Sequence, residues 1–141
     1  MFKKILVALD NSPTDQSMLL PIVDLAKVHG AELLLLHVSD GWVARNYNRL
    51  QLAESEEMRE DRAYLEKAAG DLRAQGIAVA TQLGMGDPAT GILKTAGNEG
   101  CDLIAMTTHG HRLFKDLLYG STITQVRHRA KVPVLLMNVA K

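Results

Sequence analysis

The sequence predicts one α/β domain, a three-layer sandwich built around a five-stranded, mainly parallel sheet. Three observations carry that expectation. Short apolar runs at 4–10, 32–38, 77–83, 103–107 and 134–139 alternate with longer helix-like segments, as parallel strands alternate with helical crossovers. Three of these runs, Ile5 to Leu9, Leu33 to Leu36 and Leu103 to Met106, are apolar without a break, which suits central strands covered on both faces. A chain of 141 residues can bury one sizeable core and is too short for two, so residues 1–141 are assigned to a single domain.

The first strand runs out at Asp10. Ser12 is a good N-cap for the first helix, Pro13 presets the backbone of its first turn, and Asp15 sits at the positive helix end. Gly30 is the natural stop, and Pro21, which has no N–H to donate, is expected to kink the helix. The second strand ends at His37-Val38. Residues 39–51, with Trp42 and Tyr47, lack periodicity and read as a surface loop. That loop either tucks an aromatic ring into the core or folds one over a ligand.

A second helix over roughly 52–75 has Glu54, Glu56, Glu57, Glu60 and Asp61 early and Lys67 and Arg73 late, in keeping with the helix dipole. Its charges read as a solvated face, and Met58, Leu65, Ala69 and Leu72 as the packed one. In the run 77–83 the larger apolar side chains fall on every second residue, which fits an edge strand. Asp87 and Pro88 make an N-cap and first turn for a third helix. The fourth strand leads into Thr107-Thr108-His109-Gly110, and a last helix is expected to begin at Gly120-Ser121-Thr122, with Ile123 and Val126 facing one way. Arg127, His128, Arg129 and Lys131 then lie at its negative end, where cations are favourable. The final strand is apolar on both faces yet falls at a sheet edge, where unpaired backbone invites a second copy of the chain.

Composition narrows the function. Sixteen Lys and Arg balance sixteen Asp and Glu, and aromatics make up only 4%, so neither a field for nucleic acid or anionic membranes nor a base-stacking surface is expected. The apolar run after Lys4 stops at Asp10, too soon for a signal peptide, and none approaches the length of a membrane span. A cytoplasmic protein is expected. The single cysteine, Cys101, cannot build a disulfide framework or a zinc site and reads as a small packing residue.

Ligands of open parallel sheets bind beyond the carboxyl ends of the strands, at the point where the winding reverses. The candidates there are Asp10, His37-Val38 and Thr107 to Gly110. Gly120-Ser121-Thr122, read as a helix start, offers free N–H groups, the positive dipole end and two hydroxyls, all suited to a phosphate. The alternative is a plain N-cap. Asp10 likewise either accepts hydrogen bonds from ribose hydroxyls or caps the first helix. His109 either touches phosphate or satisfies the turn, and Arg112 and Lys115 read as solvated charges.

Lys4-Ile5-Leu6-Val7-Ala8-Leu9-Asp10, Leu36-His37-Val38, Gly86-Asp87-Pro88-Ala89 and the stretch from Met106 to Leu136 together resemble the universal stress protein family through nearly the whole chain. The resemblance implies an adenine nucleotide alpha hydrolase-like fold with strand order 3-2-1-4-5. Members that bind ATP carry a glycine, two residues, a glycine, nine residues, then glycine with serine or threonine. Here the second glycine is Gly110 and the final pair is Gly120-Ser121, while Thr107 occupies the first position. That departure puts a β-branched side chain where the pattern has bare backbone, so affinity or the accepted phosphate length is expected to differ. By the same resemblance Asp10 approaches the ribose or base, Val38 meets adenine through its backbone, and Met106, His109 and Thr122 line the pocket. The implied ligand is ATP or AMP, with Mg²⁺ admitted on the phosphates. The implied protein is a homodimeric stress or metabolic sensor joined through residues 134–139.

Rival patterns are weaker. Gly84-Met85-Gly86-Asp87-Pro88-Ala89 matches the loose dinucleotide fingerprint but does not follow the first strand. A phosphate-binding loop of the glycine-lysine-serine type is absent, and a receiver domain would need an acid at the end of the third strand, where Thr81-Gln82-Leu83-Gly84 stands. No general base with a water-positioning partner stands out beyond Asp10 and His109. A dedicated enzyme is therefore not expected. Slow ATP hydrolysis and an interaction module with incidental nucleotide are the alternatives.

Overall fold

The structure, a computed structural model, describes residues 1–12, 14–39, 56–108 and 113–138. Its elements are β1 (Lys4–Ala8), α1 (Thr14–His29), β2 (Glu32–Ser39), α2 (Glu56–Arg73), β3 (Val79–Met85), α3 (Pro88–Asn98), β4 (Leu103–Thr107), α4 (Leu113–Arg129) and β5 (Val134–Met137). The five strands lie in the order β3-β2-β1-β4-β5 and every pairing is parallel. The expected architecture and strand order are both present.

Strand alternation sorts the core into two layers. Ile5, Val7 and Leu9 face α1 and α2, meeting Met18, Ile22, Leu65 and Leu72. Leu6 and Ala8 face α3 and α4, meeting Ala89, Ile92, Ile123 and Val126. Ile5, Leu6, Val7 and Leu35 are wholly buried, and each such side chain contributes about 1.5–3 kcal/mol of apolar transfer. The unbroken apolar runs of β1, β2 and β4 are the central strands, as their composition required.

Local stops follow from glycine. Gly30, at φ 65°, ends α1 with the Ala31 N–H donating to Ala26 O at 2.9 Å and the Gly30 N–H to Lys27 O at 3.4 Å, a pair of bonds that closes the helix and turns the chain into β2. Gly100 (φ 66°) ends α3 in the same way, its reversal feeding the Cys101 N–H to Ala96 O at 2.9 Å. Cys101 is thereby buried in the α3–α4 layer as a packing residue, and burial pushes its thiol up to about 11. At the other end of α3, Asp87 caps the helix by accepting the Thr90 N–H at 2.9 Å, with Pro88 in the first turn. The glycine pattern around it is an ordinary helix start.

Some boundaries differ from the sequence reading. β3 begins at Val79 rather than at residue 77, because Ile77 closes α2 through its N–H to Leu72 O at 3.4 Å. α1 runs through Pro21 to His29, as the sequence placed it, with Pro21 on the exposed side of that helix. The largest difference is α4, which starts at Leu113 and not at Gly120. Leu113 to Tyr119 contains no Gly or Pro to stop a helix, so Gly120 and Ser121 lie inside it.

Candidate functional site

The chain winds from β1 outward through β2 to β3, then returns to β4 on the other side of β1 and continues to β5. The reversal lies between β1 and β4, and their carboxyl ends define the crevice. Ala8 pairs with Leu36 and Val7 with Ala105. This register brings Asp10, just past β1, to the same edge as Val38 in β2 and Met106-Thr107 in β4. Residues separated by tens of positions in sequence thus meet at one edge.

They do not share one face. Met106, wholly buried, and Val38 belong to the α3–α4 layer. Thr107 follows Met106 in the strand, so its side chain turns to the layer that holds Ala105 and α1, where it is 1% exposed. Val38 is hemmed in by α3 and β3: a Cβ on Gly91 of α3 would stand 2.9 Å from Val38 Cγ2, and one on Gly84 of β3 3.2 Å from it. Asp10 is partly buried, and its carboxylate accepts the Ser12 hydroxyl and lies 3.4 Å from the Thr14 hydroxyl.

Beneath Asp10 lies a polar network that sequence reasoning missed. The Asp15 carboxylate, 1% exposed, accepts the Asp10 N–H at 3.1 Å, the Ser12 N–H at 3.3 Å and the Tyr64 hydroxyl at 2.9 Å. Burial and then the Asp10 charge push Asp15 up to about 7, against the opposing hydrogen bonds. Tyr64 is raised for the related reasons of burial and the nearby Asp15 charge. Asp61 of α2 accepts the Ser39 hydroxyl at 2.7 Å and the Asn11 side-chain N–H at 2.9 Å, and its Oδ2 is 3.3 Å from His37 Nε2. His37 Nδ1 lies 2.9 Å from Leu9 O. Burial favours a neutral Asp61, but these hydrogen bonds outweigh it and hold the carboxyl at about 2. Burial likewise lowers His37, and the bond to Asp61 reverses this into a net rise.

The signal for this network was spacing. Asp61 and Tyr64 fall between Met58 and Leu65 on the packed stripe of α2, and Asp15 precedes Met18, Leu19 and Ile22 on that of α1. Acids at such positions face inward and must find donors.

The phosphate end is a different matter. Because α4 begins at Leu113, Gly120-Ser121 does not supply helix-terminal N–H groups, and that part of the anion-site expectation is corrected. Gly120 and Ser121 are exposed and Thr122 is 6% exposed. The Thr124 hydroxyl donates to Gly120 O at 3.0 Å, and the Gln125 amide to Ser121 Oγ at 3.3 Å. His109, Gly110, Arg112, Trp42 and Tyr47 lie outside the described residues. Among the described residues no group of three His, Cys, Asp or Glu is placed to hold a metal ion, and no helix is long and apolar enough to cross a membrane.

Comparison with known proteins bears on the chain as a whole. The family model described as Universal stress protein family matches residues 1–138. Universal stress protein YxiE of Bacillus subtilis is 31% identical over 147 residues, covering 97% of this chain and 99% of the relative. Universal stress protein MJ0577 of Methanocaldococcus jannaschii is 29% identical over 157 residues, covering 97% and 95%. The solved structure of MJ0577 superposes with a TM-score of 0.81 over 100% of this chain and 99% of that one. A universal stress protein from Archaeoglobus fulgidus in complex with dAMP shares the fold, with a TM-score of 0.71 at 20% identity, covering 96% of this chain and 97% of that one.

Proposed function

The chain belongs to the universal stress protein family, and from that premise we propose that it holds an adenine nucleotide, ATP or AMP, at the crevice between β1 and β4. One observation carries this reading: the convergence of Asp10, Val38 and Met106-Thr107 at the point where the sheet winding reverses. Asp10 accepts the ribose hydroxyls, the Val38 backbone meets the adenine, and Met106 closes the apolar floor. For the phosphates the reading keeps the hydroxyls of Ser121 and Thr122 and, from the family motif alone, His109, Gly110 and Gly120, with Mg²⁺ bound to the phosphate oxygens rather than to the protein. The dAMP complex of a relative supports the adenine nucleotide class.

In this reading the protein works as a cytoplasmic stress or metabolic sensor. Two copies join through the β5 edge over residues 134–139, and nucleotide occupancy is the signal. The test is to extract nucleotide from freshly purified protein, identify it by mass spectrometry, and titrate ATP and AMP by calorimetry. Binding of either that is weakened in Asp10→Ala supports the reading. If neither binds at millimolar concentration the nucleotide reading fails, and a protein-interaction module takes its place.

A further inference from the structure

The β1–α1 turn is held by one buried acid. Asn11 has φ 58°, a left-handed conformation uncommon outside glycine, and the N–H groups on either side of it, those of Asp10 and Ser12, both donate to the Asp15 carboxylate. Tyr64 clamps the turn from α2: its hydroxyl is 2.9 Å from Asp15 Oδ2 and 3.3 Å from Ser12 O. Three elements thus meet on a carboxyl that is 1% exposed, and what they orient is Asp10.

We propose that Asp15 is a positioning residue for the ligand held at Asp10, and that its ionised form tightens that binding. The proposal rests on the nucleotide reading above. Two effects act in the same direction. An ionised carboxylate makes stronger, charge-assisted bonds to the two N–H groups and so stiffens the turn. Its negative charge also makes Asp10 a better acceptor for ligand hydroxyls. Linkage requires the converse: hydroxyls donated to Asp10 offset the charge that opposes Asp15 ionisation, so ligand binding releases a proton.

The groups that face Asp15 support a transition near neutrality. Asp10 comes from the end of β1, Tyr64 from α2, and His37 from β2, itself held by Asp61. Burial and the Asp10 charge keep the Asp15 proton on up to about pH 7. Affinity therefore rises as pH climbs through that value.

The experiment measures ATP dissociation constants by calorimetry at pH 6, 7 and 8 for the full chain, Asp15→Asn and Tyr64→Phe. The ATP phosphates titrate alike in all three, so the comparison isolates the protein. The wild type should tighten by about threefold to tenfold more than Asp15→Asn between pH 6 and 8. In Tyr64→Phe the transition should move to higher pH, because a hydrogen bond that favours the ionised acid is gone. If Asp15→Asn does not fold, the Tyr64→Phe shift decides alone. Binding with the same pH profile in every folded variant overturns the Asp15 role and leaves the nucleotide reading intact. Absence of ATP binding at every pH overturns both.

Discussion

His37 Nε2 lies 3.3 Å from Asp61 Oδ2, and this contact ties the end of β2 to α2 beneath the crevice. Both side chains are 14% exposed, so their charges are only partly screened. The two shifts set a pH window. Asp61, depressed to about 2 from 3.8, contributes stability that is present above pH 4 and lost as pH falls toward 2. His37, raised above 6.5, contributes stability that is present below 6.5 and lost as pH rises through its elevated value. Asp61→Asn should therefore cost about 2 kcal/mol near pH 5.5 and less at pH 9, where the imidazole is neutral. Urea unfolding of both proteins at the two pH values measures this. An equal loss at both would mean that the bond counts but the charge does not.

Gly91 and Val38 make the second prediction. A Cβ at position 91 meets Val38 Cγ2 at 2.9 Å, closer than real contacts allow, and Val38 is a stiff β-branched side chain on a strand. Overpacking of this kind costs about 1–3 kcal/mol, against a gain of about 1 kcal/mol from replacing a helical glycine with alanine. Steric cost should win. Gly91→Ala is expected to lower stability and to weaken nucleotide binding by displacing Val38, while Val38→Ala in the same chain should recover part of the loss. Additive effects in the double variant would exclude the contact as the cause.

How much of this could be read from sequence differs by element. The strands were legible because Leu33 to Leu36 and Leu103 to Met106 are apolar without interruption, a pattern that only two-sided burial demands. The network under Asp10 was not, since Asp61 and Asp15 are also what a solvated or dipole-matched face would carry. Only their place on the packed stripe, together with donors from other elements, gives them away. The start of α4 was misjudged for a third reason. Gly120-Ser121 is a credible helix start locally, but a lone glycine inside a helix costs only about 1 kcal/mol, which packing of Ile123 and Val126 can offset.

Thr107 stands where the nucleotide-binding pattern has glycine, yet its side chain is buried on the α1 face, opposite Met106. Thr107→Gly should thus act mainly on the fold. Loss of a buried side chain together with glycine's backbone freedom in a strand should cost about 1–3 kcal/mol. The ATP dissociation constant of the folded protein should change by less than about threefold, a shift worth under 0.7 kcal/mol. A tenfold gain in affinity would instead show that the side chain obstructs the ligand.

The β5 edge yields the last prediction. Leu135 is 36% exposed on a strand whose outer side has no partner among the described residues, the arrangement that invites strand addition. Antiparallel pairing of two such edges around a two-fold axis would satisfy the free backbone groups and cover Leu135 in both copies. Leu135→Lys places like charges near each other across that axis, yet removes little from the monomer, because the side chain is already partly in water. The wild type should sediment as a dimer at micromolar concentration and the variant as a monomer. Its unfolding midpoint, measured at a concentration where both are monomeric, should differ by no more than about 0.5 kcal/mol. A wild type that is already monomeric at micromolar concentration removes the dimer, and a variant that stays dimeric moves the interface away from β5.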